Sequence, residues 1–263
     1  MRTIKTVSTY LAILMAMALA LPAAMAGEKS TSAAAPPDPL TLDLREGQLL
    51  SVISVLPKAG PEAAAARQSY AENAFGIAKA FGMRSMGGLP VVEVVSGEFA
   101  PRAVVFYAWP NADAEQQFST DPSWQPIKAT RPEGWSELRF HDVMIPQDVT
   151  LRFQQDKTYT MASAWINPDR PNDYDQYLAN INKAVNAVGG RFIYRIVEPD
   201  FVSLSENLQA PGRLVFVEWD SRSSLDDFLK TTVFKENAAL MQSGITNFEL
   251  VVLSTGRESA SSN

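Results

Sequence analysis

Two kinds of hydrophobic spacing alternate along this chain. Tyr159 to Ile166 (YTMASAWI) is a short apolar run closed by Asn167-Pro168-Asp169, which predicts a strand ending in a turn. Downstream, Tyr174, Tyr177, Leu178, Ile181, Val185 and Val188 recur at spacings of three and four. That spacing gathers all six on one face of a helix packed on a sheet, with Asn172 or Asp173 capping its start. Gly189-Gly190 stops the helix, because glycine tolerates the left-handed cap geometry. Arg191 to Leu204 then predicts a strand bent at Pro199-Asp200, and Arg213 to Trp219 another. A helix from about Arg222 to Met241, broken near Thr231-Thr232, leads to a last strand at Asn247 to Leu253. The order is β-α-β-β-α-β, the ferredoxin-like arrangement.

The same order is legible upstream: strands at Leu49 to Leu56, Met83 to Ser96, Ala103 to Trp109 and Glu137 to Ile145, with a helix near Pro61 to Phe81. A second helix, Ala112 to Ala129, restarts at Asp121-Pro122, a cap followed by proline. The segment PRAVVFYAWPNADAEQQF from Pro101 lies over PGRLVFVEWDSRSSLDDF from Pro211 without a gap. Phe106 matches Phe216 and Trp109 matches Trp219, each pair 110 positions apart, so the unit reads as duplicated. Leu40, Leu42 and Leu44 alternate with polar residues before the first copy, as do Val149, Leu151 and Phe153 before the second; each predicts an extra edge strand. Val104 to Tyr107 and Leu214 to Val217 are apolar at successive positions, which requires both faces of the sheet to be covered. The expected fold is α+β: two tandem ferredoxin-like repeats, residues 40–148 and 149–255, packed sheet to sheet as an intramolecular pseudo-dimeric barrel.

The ends of the chain read differently. Arg2 and Lys5, the apolar run Tyr10 to Leu21, Pro22 and then Ala24-Met25-Ala26 form a cleavable export signal over residues 1–26. The run is short of the roughly 20 residues that span a bilayer. Residues 27–39 are Ala/Pro/Ser-rich and read as a disordered tether, and 256–263 as a flexible tail. With no cysteine, neither a lipid anchor nor a disulfide is open to the chain. The expectation is a soluble periplasmic or secreted protein, free of the membrane once cleaved, monomeric or homodimeric. A net charge of −6 without a Lys/Arg run beyond the leader argues against nucleic acid as partner.

The run Gly189-Gly190-Arg191-Phe192, then Pro211, Val215-Phe216, Trp219 and Phe234, resembles the dimeric α+β-barrel superfamily, and within it a bacterial group labelled a domain of unknown function. The first copy shares Gly97-Glu98-Phe99-Ala100-Pro101-Arg102, Asp121-Pro122-Ser123-Trp124 and Ile127-Lys128-Ala129-Thr130-Arg131, but has Phe81-Gly82-Met83-Arg84 where the glycine pair would stand. That resemblance implies relatives among cofactor-independent monooxygenases, lactone isomerases, haem-degrading enzymes and chlorite dismutases. The last resemble this chain in fusing two copies with the haem-ligating histidine in the second. Here His141, the single histidine, lies in the first copy, which argues against haem.

Candidate chemistry is sparse. No cysteine and one histidine leave no metal set, and nucleophile-elbow, dinucleotide and phosphate-loop motifs are missing, so no metal or cofactor is expected. His141, matched by Val251, is either a partly buried histidine or a proton-transfer group in a barrel cavity. Glu218, matched by Ala108, sits in a covered strand and needs a partner such as Arg191 or Arg195, as a structural ion pair or a pocket carboxylate. Trp109 and Trp219, being repeated, read as core; Trp165, set against Val55, reads as a ligand contact. Trp165, Arg191, Glu218 and His141 are therefore the candidate ligand-binding residues, in at most one pocket per chain built unevenly from both halves. The expected role is binding a small organic molecule without a cofactor. A cofactor-independent monooxygenase or isomerase working in the barrel cavity is the alternative, and the sequence leaves enzymatic activity open.

Overall fold

The computed structural model describes residues 40–205 and 208–255; the leader, tether and tail read from the sequence lie outside the described residues. In chain order the elements are β1 (Leu40–Leu44), β2 (Leu49–Pro57), α1 (Pro61–Ala80), β3 (Arg84–Ser96), β4 (Ala103–Trp109), α2 (Ala112–Thr120), α3 (Trp124–Ala129), α4 (Arg131–Gly134) and β5 (Trp135–Met144). Then follow β6 (Val149–Phe153), β7 (Thr158–Ile166), α5 (Asp173–Ala187), β8 (Gly190–Val197), β9 (Asp200–Ser203), β10 (Arg213–Trp219), α6 (Arg222–Lys230), α7 (Thr232–Glu236), α8 (Ala238–Gly244) and β11 (Ile245–Leu253).

Nine strands form one antiparallel sheet in the order β8-β10-β7-β11-β3-β4-β2-β5-β9. The mixed α+β fold is thus the one the periodicities predict. Residues 49–144 contribute β3-β4-β2-β5 and residues 158–253 contribute β8-β10-β7-β11, the same spatial order relative to the chain. The two sets join edge to edge. Leu250 to Leu253 of β11 pair with β3, and Arg139 to Asp142 of β5 pair with β9. Strands β8 and β9 stand at opposite ends of that order, yet only Glu198 (at φ 47) and Pro199 separate them in sequence. The chain passing from one to the other brings the ends of the sheet together, so the sheet closes on itself.

Alternation along the strands divides the side chains between two cores. Leu50, Val52, Val104, Phe106, Met161, Leu214, Phe216 and Val251 fill the interior. On the outer face, α5 packs Tyr174, Tyr177, Leu178, Ile181 and Val185 against β10 residues Val215, Val217 and Trp219. Helix α1 buries only small residues, Ala63, Ala74 and Ala78, and the space over the sheet is filled by Trp109, Phe118 and Trp124. The two repeated tryptophans are anchored alike: Trp109 Nε1 donates to Ser51 Oγ at 3.2 Å, and Trp219 Nε1 to Thr160 Oγ1 at 3.0 Å.

Two local expectations need correction, and one departure between the copies is explained. β1 and β6 are not edge strands of the sheet; they pair with each other, Leu40 with Phe153 through Leu44 with Val149. Their apolar face, Leu42, Leu44, Leu151 and Phe153, is buried in the interior core, which no sheet edge would allow. Asn172 gives α5 no side-chain cap bond, whereas Asn111, Ser221 and Thr231 cap α2, α6 and α7. The first copy also needs no glycine pair: Gly82 alone, at φ 83, makes the left-handed exit that Gly189 makes at φ 81.

Candidate functional site

The barrel interior holds a small polar cluster. Ser54 of β2, Arg139 and His141 of β5, Ser163 of β7 and Glu249 of β11 line a cavity of about 10 Å³. Arg139 Nη1 donates to both Glu249 oxygens, at 3.0 and 2.9 Å, and its guanidinium lies 3.8 Å from the centre of the Phe99 ring. Arg139 Nε is buried without a partner. Burial pushes the Glu249 carboxyl above its usual range, while the Arg139 hydrogen bond and charge pull it back. His141 Nδ1 lies 3.2 Å from the Val52 carbonyl; since a carbonyl only accepts, Nδ1 carries the proton. Desolvation, opposed by that bond and reinforced by Arg139, drives the imidazole down to about 4, so it is neutral at physiological pH. A space of about 10 Å³ is at the threshold for one water and excludes an organic ligand.

Residues 110 positions apart meet in this cluster. Ser54 stands opposite Arg139 in the β2–β5 register, and Ser163 opposite Glu249 in the β7–β11 register. Arg139 and Glu249 are 110 positions apart and bonded to each other. Phe106 and Phe216, with the same separation, have ring centres 6.2 Å apart. Met161 faces Val251 and Val52 faces His141, two positions 110 apart, so these registers set Met161 against Val52. Trp165 therefore takes the place of Leu56, not Val55 as the ungapped alignment suggests.

The four sequence-predicted site residues are not gathered into one pocket. Arg191 and Glu218 do meet: Arg191 Nη2 donates to Glu218 Oε1 at 2.9 Å, and Tyr159 Oη to Oε2 at 2.9 Å. That is an ion pair with a buried carboxylate, its arginine 65% exposed. Trp165 stands near the other end of β7 from Tyr159, roughly 20 Å along the strand at about 3.4 Å per residue. Its Nε1 donates to the Gln209 carbonyl at 2.9 Å. Of the four, His141 lines the small cavity.

A larger space lies where the closing strand crosses the outer face. Residues of α3, α4 and β5, chiefly Lys128, Arg131, Pro132 and Phe140, form a cavity of about 300 Å³ with Val202, Ser203 and Leu204 from β9 and its exit. Both halves of the chain build it. Arg131 is only 8% exposed. Its Nε donates to Tyr70 Oη at 2.9 Å, and its guanidinium carbon lies 4.4 Å from the Phe140 ring centre and 5.1 Å from that of Trp124. Ser203, beside it, donates to Glu137, as does Ser205, so that buried carboxylate is occupied. The sequence reading did not pick out this site because its candidate residues all lie on strands, whereas Lys128 and Arg131 lie on helices. Arg131 and Lys128 stand opposite Met241 and Ala238 at the 110-residue offset, a contrast as sharp as His141 against Val251.

Comparison with known proteins places these elements in context. Residues 157–255, which span β7 to β11, match a domain of unknown function (DUF1330). No curated protein matches the chain. Among solved structures, an anthrone oxidase-like protein is 13% identical, with 85% of this chain and all of that one covered, at a TM-score of 0.49. Chlorite dismutase from Candidatus Nitrospira defluvii, solved in complex with imidazole, is 8% identical over 80% of this chain and 92% of its own, at 0.44. A protein of unknown function from Rhodopseudomonas palustris is 17% identical over 39% of this chain and 85% of its own, at 0.34.

Proposed function

We propose that the chain is a fused pseudo-dimer, two copies of one ferredoxin-like unit at residues 40–148 and 149–255, and that it binds a small organic molecule without a cofactor. Equivalent residues touch one another only on a two-fold axis. The Arg139–Glu249 and Phe106–Phe216 contacts, each between positions 110 apart, support such an axis through the barrel. The leader pattern supports export, with Gly27 as the first residue of the exported protein.

The observation that carries the ligand reading is a contrast of volumes. The barrel centre offers about 10 Å³, whereas the pocket under β9 offers about 300 Å³, at the lower end of small-molecule sites. The test is a thermal-shift panel of quinones, phenols, lactones and aromatic acids against the chain beginning at Gly27, with oxygen uptake recorded alongside. A hit should be lost in Val202→Arg, which blocks the pocket, and kept in Ser163→Val, which fills the barrel cavity. Loss in Ser163→Val alone would move the site into the barrel, and a panel without any hit would overturn the reading. Oxygen consumption or product formation with a hit would make the protein an enzyme.

A further inference from the structure

We infer that the pocket under β9 is an anion receptor, taking a small carboxylate with a flat apolar body. The inference rests on the ligand-binding reading above and names the class of ligand for that site. Arg131 carries it. Its guanidinium lies against the Phe140, Trp124 and Tyr70 rings and its Nε donates to Tyr70, which leaves the Nη edge as the part still open to a partner. Among the described residues no carboxylate forms an ion pair with it and no protein acceptor bonds its Nη groups. Glu115 feels both Lys128 and Arg131 through space but is paired with neither.

A guanidinium nine-tenths buried with no carboxylate paired to it is poorly compensated, and an anion entering the pocket improves that balance. The planar Nη edge matches a carboxylate, which it can bond through both oxygens. Exposed Lys128 adds a second positive charge to the same lining. The remaining walls, Pro132, Phe140, Val202 and Leu204, are apolar and suit a hydrocarbon or aromatic body. Nothing comparable exists at the matching place in the second half, where Met241, Ala238 and Leu250 replace Arg131, Lys128 and Phe140. The stoichiometry is therefore one anion per chain.

Calorimetric titration of the chain from Gly27 with 2-naphthoate, and with its uncharged analogue 2-naphthamide, tests this. Naphthoate should bind at one site and at least tenfold more tightly than the amide. Arg131→Gln and Lys128→Glu should each weaken naphthoate by tenfold or more and leave the amide within twofold. Should Arg131→Gln fail to fold, the exposed Lys128→Glu decides the matter alone. Equal binding of the two probes, or naphthoate binding indifferent to Lys128→Glu, would overturn the anion receptor. If Val202→Arg still abolished both probes, the ligand pocket itself would stand. Inorganic phosphate displacing naphthoate at equal concentration would overturn the apolar body. Neither probe binding while another panel compound does would overturn the carboxylate class, and no compound binding at all would overturn both readings.

Discussion

At the scale of single residues, a buried and a half-buried titratable group on β5 work against each other. His141 is driven down to about 4 by burial, below the roughly 6.5 of an unfolded chain. The unfolded state thus binds the extra proton between those values, and stability falls as pH drops from about 6.5 to 4. Its neighbour Asp142 is pushed up to about 6 by burial, with Glu115 and Asp200 adding to the rise and Ser51 opposing it; its Oδ1 has no partner. There the folded state holds the proton, so stability is lost as pH rises from about 4 to 6. Each effect is on the order of 3 kcal/mol, and in the intact protein they largely offset. His141→Gln should therefore gain stability relative to the parent as pH falls from 7 to 5, and Asp142→Asn should lose it. Urea unfolding at the two pH values checks both signs, and parallel pH profiles for all three proteins would refute the assignment.

At the scale of elements, the β1–β6 ribbon decides whether the interior is filled. Each of its strands presents one apolar face, and the ribbon lays Leu42, Leu44, Leu151 and Phe153 into the barrel core beside Phe106. Leu42 and Leu44 are buried to within 1% of full exclusion. Leu42→Ala and Leu44→Ala should each cost about 2–5 kcal/mol, the range for a buried leucine that leaves a cavity. Equilibrium unfolding measures this directly. A loss under about 1 kcal/mol would mean that the ribbon lies on the barrel without sealing it.

At the scale of the whole molecule, a pseudo-dimer predicts what half of it should do. An excised second half, residues 149–255, carries both edges, β11 and β8–β9, that the first half covers. It should self-associate through them, seen as a dimer by light scattering. Glu249 would then meet its own copy on the axis rather than Arg139, a like-charge contact, so Glu249→Gln should strengthen the dimer. A strictly monomeric, folded half would contradict the fused-dimer reading.

The division between sequence and tertiary structure follows from what each kind of signal encodes. Local spacing determined the elements, because a buried face must repeat at 3.6 or at 2 residues, and so the βαββαβ order and the doubly covered strands β4 and β10 were legible. The repeated tryptophans were legible as core for the same reason, and the Glu218–Arg191 pair because a covered carboxylate must find a cation. What no local signal carries is which surfaces meet. That β1 pairs with β6, that β9 crosses to β5, and that Arg131 meets Tyr70 and shares a cavity with β9 all depend on contacts between residues far apart in sequence. The four candidate residues were chosen along strands, where alternation says only which face a side chain takes. The pocket arises where a helix from one half meets a strand end from the other, and only closure of the sheet puts them together.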